Sequence, residues 1–93
     1  MDELQLLNEF KKRMHISHSS EDVSLEDILK EASEYIISKT GLNEEDATAK
    51  TLLFARARYA YNHSLEKFEE NFLSEVLGLS FEQYKGDADE NEV

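Results

Sequence analysis

The chain has 93 residues, with 21 acids against 10 bases for a formal charge of −11, and 40 % of its residues are hydrophobic. That length predicts one domain at most, with a modest core. The acid surplus excludes tight non-specific binding to nucleic acid, which needs Lys and Arg on the phosphates, and docking on anionic membranes.

Cysteine is absent, so no disulfide framework and no thiol chemistry is expected, which fits a reducing compartment. No apolar run reaches the roughly 20 residues that cross a bilayer. The N-terminus is acidic and amphipathic rather than basic and then apolar, so the cytoplasm is the expected place of synthesis. Proline is missing and glycine occurs only at Gly41, Gly78 and Gly86. With so few breakers, helix is the default reading throughout.

The first predicted helix covers about 3–14. Leu4, Leu7, Phe10 and Met14 recur at spacings of three and four, with Leu6 beside them. Acids open this helix and Lys11, Lys12 and Arg13 close it, which complements the helix dipole at both ends. A phosphate contact is the minority reading of that basic run. A polar, serine-rich loop follows. His15 and His18 stand three apart there, but no cysteine and no HExxH pattern accompanies them, so ordinary loop histidines are expected.

The second helix is expected over 22–40. Ser20 or Ser24 is placed to cap it, the latter with Asp27 in a weak capping box. Leu25, Ile28, Leu29, Ala32, Tyr35 and Ile36 form its apolar stripe, with Val23 and Ile37 at the margins. Gly41 suits the left-handed position after its end.

The third helix is expected over 44–62, with Asn43 as its cap and Glu44, Glu45 and Asp46 in the first turn. Ala47, Lys50, Phe54, Ala57 and Tyr61 lie along one face, with Leu53 and Ala60 on the next. Arg56 and Arg58 are two residues apart, about 200° around the helix, so they cannot form one basic patch. Each is expected to meet a carboxylate, in the fold or on a neighbour.

The fourth helix is expected over 64–78, capped by Ser64. Leu65, Phe68, Phe72, Val76 and Leu79 make a continuous stripe. Together with the alanine- and tyrosine-rich end of the third helix, it holds the densest apolar stretch of the chain. A short turn over 80–85 and a flexible acidic tail over 86–93 complete the reading. The fold class is therefore all-α: a four-helix bundle in one domain over 1–85, plus the tail.

Chemistry-bearing motifs are missing from the sequence: no Gly-rich phosphate loop, no paired cysteines, no nucleophile motif. Acid pairs such as Glu69–Glu70 read as solvated helix faces. No enzyme, cofactor or metal is predicted.

The run ARARYAYN at 55–62, SLEKFEENF at 64–72, Leu77-Gly78-Leu79 and the opening LLNEFKKRMHISHSSED at 6–22 resemble the head–tail connector family of tailed bacteriophages, small DNA-packaging proteins of siphophages and prophages. The resemblance covers roughly Leu4 to Leu79. It implies a helical virion subunit made in the bacterial host. That subunit is monomeric or not when free, and forms a ring between the portal protein and the stopper or tail completion protein, leaving a lumen for the genome. It carries no catalytic residues across.

The residues agree with that picture in three ways. Tyr35, Tyr59, Phe81 and Tyr84 are candidates for contacts with another subunit or the portal, since aromatics are enriched at interfaces; the alternative is that they close the core of their own chain. Arg56 and Arg58 are candidates for salt bridges to an acid-rich neighbour in the head-to-tail contacts that a ring requires. A net-negative ring lets DNA pass without gripping it.

A different class, a small acidic regulator of a host or phage protein, rests on charge alone. A helix-turn-helix DNA binder around Thr40-Gly41-Leu42 is disfavoured, because its recognition helix would start with acids against phosphates.

Overall fold

Four α-helices follow one another in the computed structural model, which describes residues 3–92, with side chains described for 3–82. They are α1 (Glu3–Met14), α2 (Asp22–Thr40), α3 (Ala47–Tyr61) and α4 (Leu65–Glu92). No strand occurs among the described residues. The fold is an all-α bundle. α2 packs most extensively on α3, α4 packs on both, and α1 lies along α2.

The centre of the bundle is α3. Leu52, Leu53, Phe54, Arg56 and Ala57 are all buried, with Ala49 one turn earlier. Consecutive buried positions point in every direction around a helix, so α3 is covered on several sides rather than along one stripe. Ala32, Ala49 and Ala57 carry no exposed surface, and such small side chains let neighbouring backbones approach closely. Leu25, Leu29 and Ile36 of α2 and Phe68, Val76 and Leu79 of α4 fill the space around them. From α1, Leu6, Leu7 and Phe10 reach the core, and Phe10 stacks on Phe54 at 5.9 Å between centroids. Leu4, on the apolar edge by its spacing, is exposed instead. Ala47 is likewise exposed, one residue into α3.

Three helix ends differ from the sequence reading. α2 has Glu21 at its N-cap and no side-chain cap bond, so neither Ser20 nor Ser24 serves. Ser20 instead pairs with His18 Nδ1 at 2.9 Å. α3 begins three residues later than expected. Asp46 is its cap and accepts from Ala49 N at 2.9 Å, while Asn43 accepts from Glu45 N and holds the turn before it. Asp is as good an N-cap as Asn, and the acids 44–45 fall in the connecting turn. At α4, Ser64 Oγ donates to the Asn62 carbonyl, and it is the Ser64 carbonyl that receives the first helical bonds, from Lys67 and Phe68.

α4 also runs on where a stop was expected. It passes through Gly78 because Val76 and Leu79 anchor the backbone to the core on either side. Glycine in a helix interior costs about 1 kcal/mol relative to alanine, less than two buried contacts contribute. The expected turn at 80–85 is therefore a helical continuation. The expected flexible tail at 86–93 instead continues the backbone of α4 as far as Glu92; side chains there lie outside those described.

Histidines occupy two left-handed helix ends. His15 has φ 60° and His63 has φ 57°. After α1, Ile16 N donates to Lys11 O and His15 N to Lys12 O; after α3, Ser64 N donates to Tyr59 O and His63 N to Ala60 O. Both are Schellman closures, in which glycine usually holds the left-handed position. Histidine is among the non-glycine residues enriched there. α2 ends more simply: Gly41, at φ 75°, donates to Ile37 O, and the Thr40 hydroxyl donates to Ile36 O while accepting from Leu42 N.

Candidate assembly surface

Buried Arg56 sits where α2, α3 and α4 meet. Its position on α3 points it between the other two helices, and only 8 % of it is exposed. Its Nε and Nη2 donate to the Glu31 carboxylate of α2, with Nε 3.0 Å from Oε2 and Nη2 2.5 Å from Oε1. Nη1 lies 3.5 Å from Glu69 Oε1 of α4, close enough for an ion pair but outside hydrogen-bond geometry. The guanidinium covers the Tyr35 ring at 3.7 Å and lies 5.4 Å from that of Phe68. Tyr35 OH in turn donates to Glu69 Oε1 at 3.1 Å. Burial, then the hydrogen bond to Glu69, raises the Tyr35 phenol above its ordinary pKa.

Tyr59 belongs to the adjoining aromatic cluster. It meets Phe68 and Phe72 edge-on at 6.1 and 5.7 Å, and Asn71 donates to its hydroxyl. Tyr35, Arg56 and Tyr59 thus have partners within their own chain. Arg58 and Phe81 are placed differently. Both are exposed, and among the described residues Arg58 makes no ion pair, only a cation–π contact with Tyr59 at 5.4 Å. Tyr84 lies outside the residues whose side chains are described.

The Arg56–Glu31–Tyr35–Glu69 cluster was only half legible from the chain. The partner carboxylate for Arg56 was expected, but its identity was not. Glu31 and Tyr35 do stand four apart on α2, on the face that meets the arginine.

The basic run at the end of α1 links helices. Lys11 pairs with Asp22 of α2 at 2.7 Å. Glu9, one turn before Arg13, pairs with Lys50 of α3 at 2.8 Å. Arg13 lies over the Phe54 ring at 4.7 Å.

Two concavities mark the surface. The larger, about 530 Å³, lies between the start of α1, α2 and the α2–α3 link. Its floor includes Leu6, Leu29 and Ile37, and its rim carries Glu3, Glu26, Asp27, Glu34 and Glu44 against Lys30. The smaller, about 260 Å³, lies between the end of α1, α3 and α4. Phe10, Met14, Phe54 and Phe72 line it, flanked by Arg13 and Arg58. On a chain of net charge −11, this second cleft carries two cations and no acid in its lining. A run of outward apolar residues marks α4: Leu73 is 41 %, Leu77 55 % and Phe81 64 % exposed.

No group of three or more His, Cys, Asp or Glu residues suited to a metal occurs among the described residues. No helix there is long and apolar enough to cross a membrane. The features above are those of a contact surface: apolar patches edged by charge.

A family model for phage gp6-like head–tail connector proteins matches residues 4–93. No curated protein and no solved structure matches the chain.

Proposed function

Because this chain belongs to the phage gp6-like head–tail connector family, and so has a structural connector role in the virion, we propose that its copies form a ring at the head–tail joint. The ring sits between the portal protein and the stopper or tail completion protein after the genome is packaged, and the genome leaves through its lumen. Residues 1–85 act as the body of each subunit, and the acidic residues 86–93 as an extension beyond it. The chain works by contact and carries out no catalysis.

The family match over nearly the whole chain carries this reading. The surface supports it. Leu73, Leu77 and Phe81 remain exposed on α4 although the core is already closed by Phe68, Val76 and Leu79. Exposed apolar runs of this kind mark contact sites on soluble proteins. Arg58 and Phe81 are the outward members of the candidate set and are proposed to meet other subunits or the portal. Tyr35, Arg56 and Tyr59 hold the shape of the surface from beneath. The acid surplus keeps DNA phosphates from adhering, through repulsion acting over about 8–10 Å in physiological salt.

Electron microscopy of the purified protein mixed with its portal tests the proposal. Symmetric rings stacked on the portal are expected. Lack of any association with the portal contradicts it and favours a small acidic regulator.

A further inference from the structure

We infer that neighbouring subunits meet by seating the outer face of α4 of one copy in the Arg13–Arg58 cleft of the next. This deepens, and rests on, the ring reading above.

The two surfaces complement each other in charge and in apolar content. Outward residues of α4 fall in line at Glu66, Glu70, Leu73, Leu77 and Phe81, spaced four, three, four and four, which is one helical face. The acids occupy its first half and the apolar residues its second. All five are exposed. The cleft offers the counterparts: Arg13 and Arg58 at its sides and, accessible between them, half-buried Met14 and Phe72 over the buried rings of Phe10 and Phe54. Leu77 and Phe72 are about 140° apart around α4, so the α4 face and the cleft look in different directions.

Like surfaces do not pair. Two copies of the cleft would oppose guanidinium to guanidinium, and two copies of the α4 face would oppose carboxylate to carboxylate. A two-fold dimer is disfavoured on both sides, whereas cleft against α4 face brings opposite charges together. Such a head-to-tail contact repeats, and it gives a ring where the rotation between copies closes. The larger groove is a poorer seat for a second copy, since five acids line it against one lysine. The apolar contact is also small beside the ~800 Å² per partner of stable pairs, so the ring forms on a portal template rather than in dilute solution.

Charge reversal with rescue tests the pairing, read as ring occupancy on purified portal by electron microscopy. Arg13→Glu with Arg58→Glu, and separately Glu66→Arg with Glu70→Arg, should each reduce occupancy about tenfold, with circular dichroism unchanged. Arg58→Glu alone, which breaks no ion pair among the described residues, should reduce it about threefold. The chain carrying all four reversals should recover most of the wild-type occupancy. Full occupancy with either reversed pair overturns the pairing while leaving wild-type rings, and so the ring reading, in place. So does a loss that the fourfold variant fails to recover. Wild-type protein that forms no ring overturns the ring reading itself, and this contact with it.

Discussion

Removing the Arg56 guanidinium would uncover the faces of Tyr35 and Phe68 and leave Glu31 and Glu69 without their cation. Both carboxylates are about half exposed, so water can take them up. The loss is therefore mainly one of packing and cation–π contact, and Arg56→Ala should destabilise the fold by about 2 kcal/mol in urea unfolding. Arg56→Met, whose stem still covers Tyr35, should cost less than half of that. The phenols give a second residue-scale expectation. Tyr35, through burial and then its bond to Glu69, and Tyr61, through its bond to Glu21 and then burial, have folded pKa values above the ordinary 10.0. The unfolded chain therefore gives up these protons first. The stability they contribute is complete below pH 10 and is lost as pH rises from there through the folded values. Unfolding midpoints should fall above pH 10 in the wild type and fall less steeply in Tyr35→Phe with Tyr61→Phe.

Helices are where the sequence was most readable, and their ends where it was least. The stripes Leu25–Leu29–Ala32–Ile36 and Phe68–Val76–Leu79 recur with helical spacing because one face of each element meets the core. α3 lacks such a stripe, since it is covered on several sides, and the face that runs from Ala47 to Tyr61 begins with an exposed residue. Two acceptable caps, Asn43 and Asp46, stood three residues apart, and only tertiary packing selects between them. Local chemistry also concealed that His15 and His63 close helices in left-handed conformation. Asp46→Ala should cost about 1 kcal/mol through the lost N-cap, and Asn43→Ala less. His63→Gly should raise stability by roughly 0.5 kcal/mol, as relief of the left-handed backbone outweighs the added freedom of the unfolded chain. Thermal or urea midpoints of the three variants measure both effects.

At the level of the whole molecule, the proposed assembly surface was legible only as residue types. Of the interface candidates Tyr35, Arg56, Arg58, Tyr59, Phe81 and Tyr84, five have described side chains: Arg56 is buried, Tyr35 and Tyr59 are half-buried against partners in their own chain, and Arg58 and Phe81 are exposed. Nothing in periodicity reveals that an arginine between Ala55 and Ala57 would be buried, because that depends on Glu31 and Glu69 arriving from other helices. If the proposed ring forms, the link between α1 and α2, short of buried apolar residues, and the acidic end of the chain are the segments expected to gain amide-exchange protection. The central claim is that this chain completes the head–tail joint, and it is tested most directly by examining particles assembled without it. DNA-filled heads that bear no ring under the portal and fail to join tails are the predicted result; tailed, infectious particles in normal yield would contradict it.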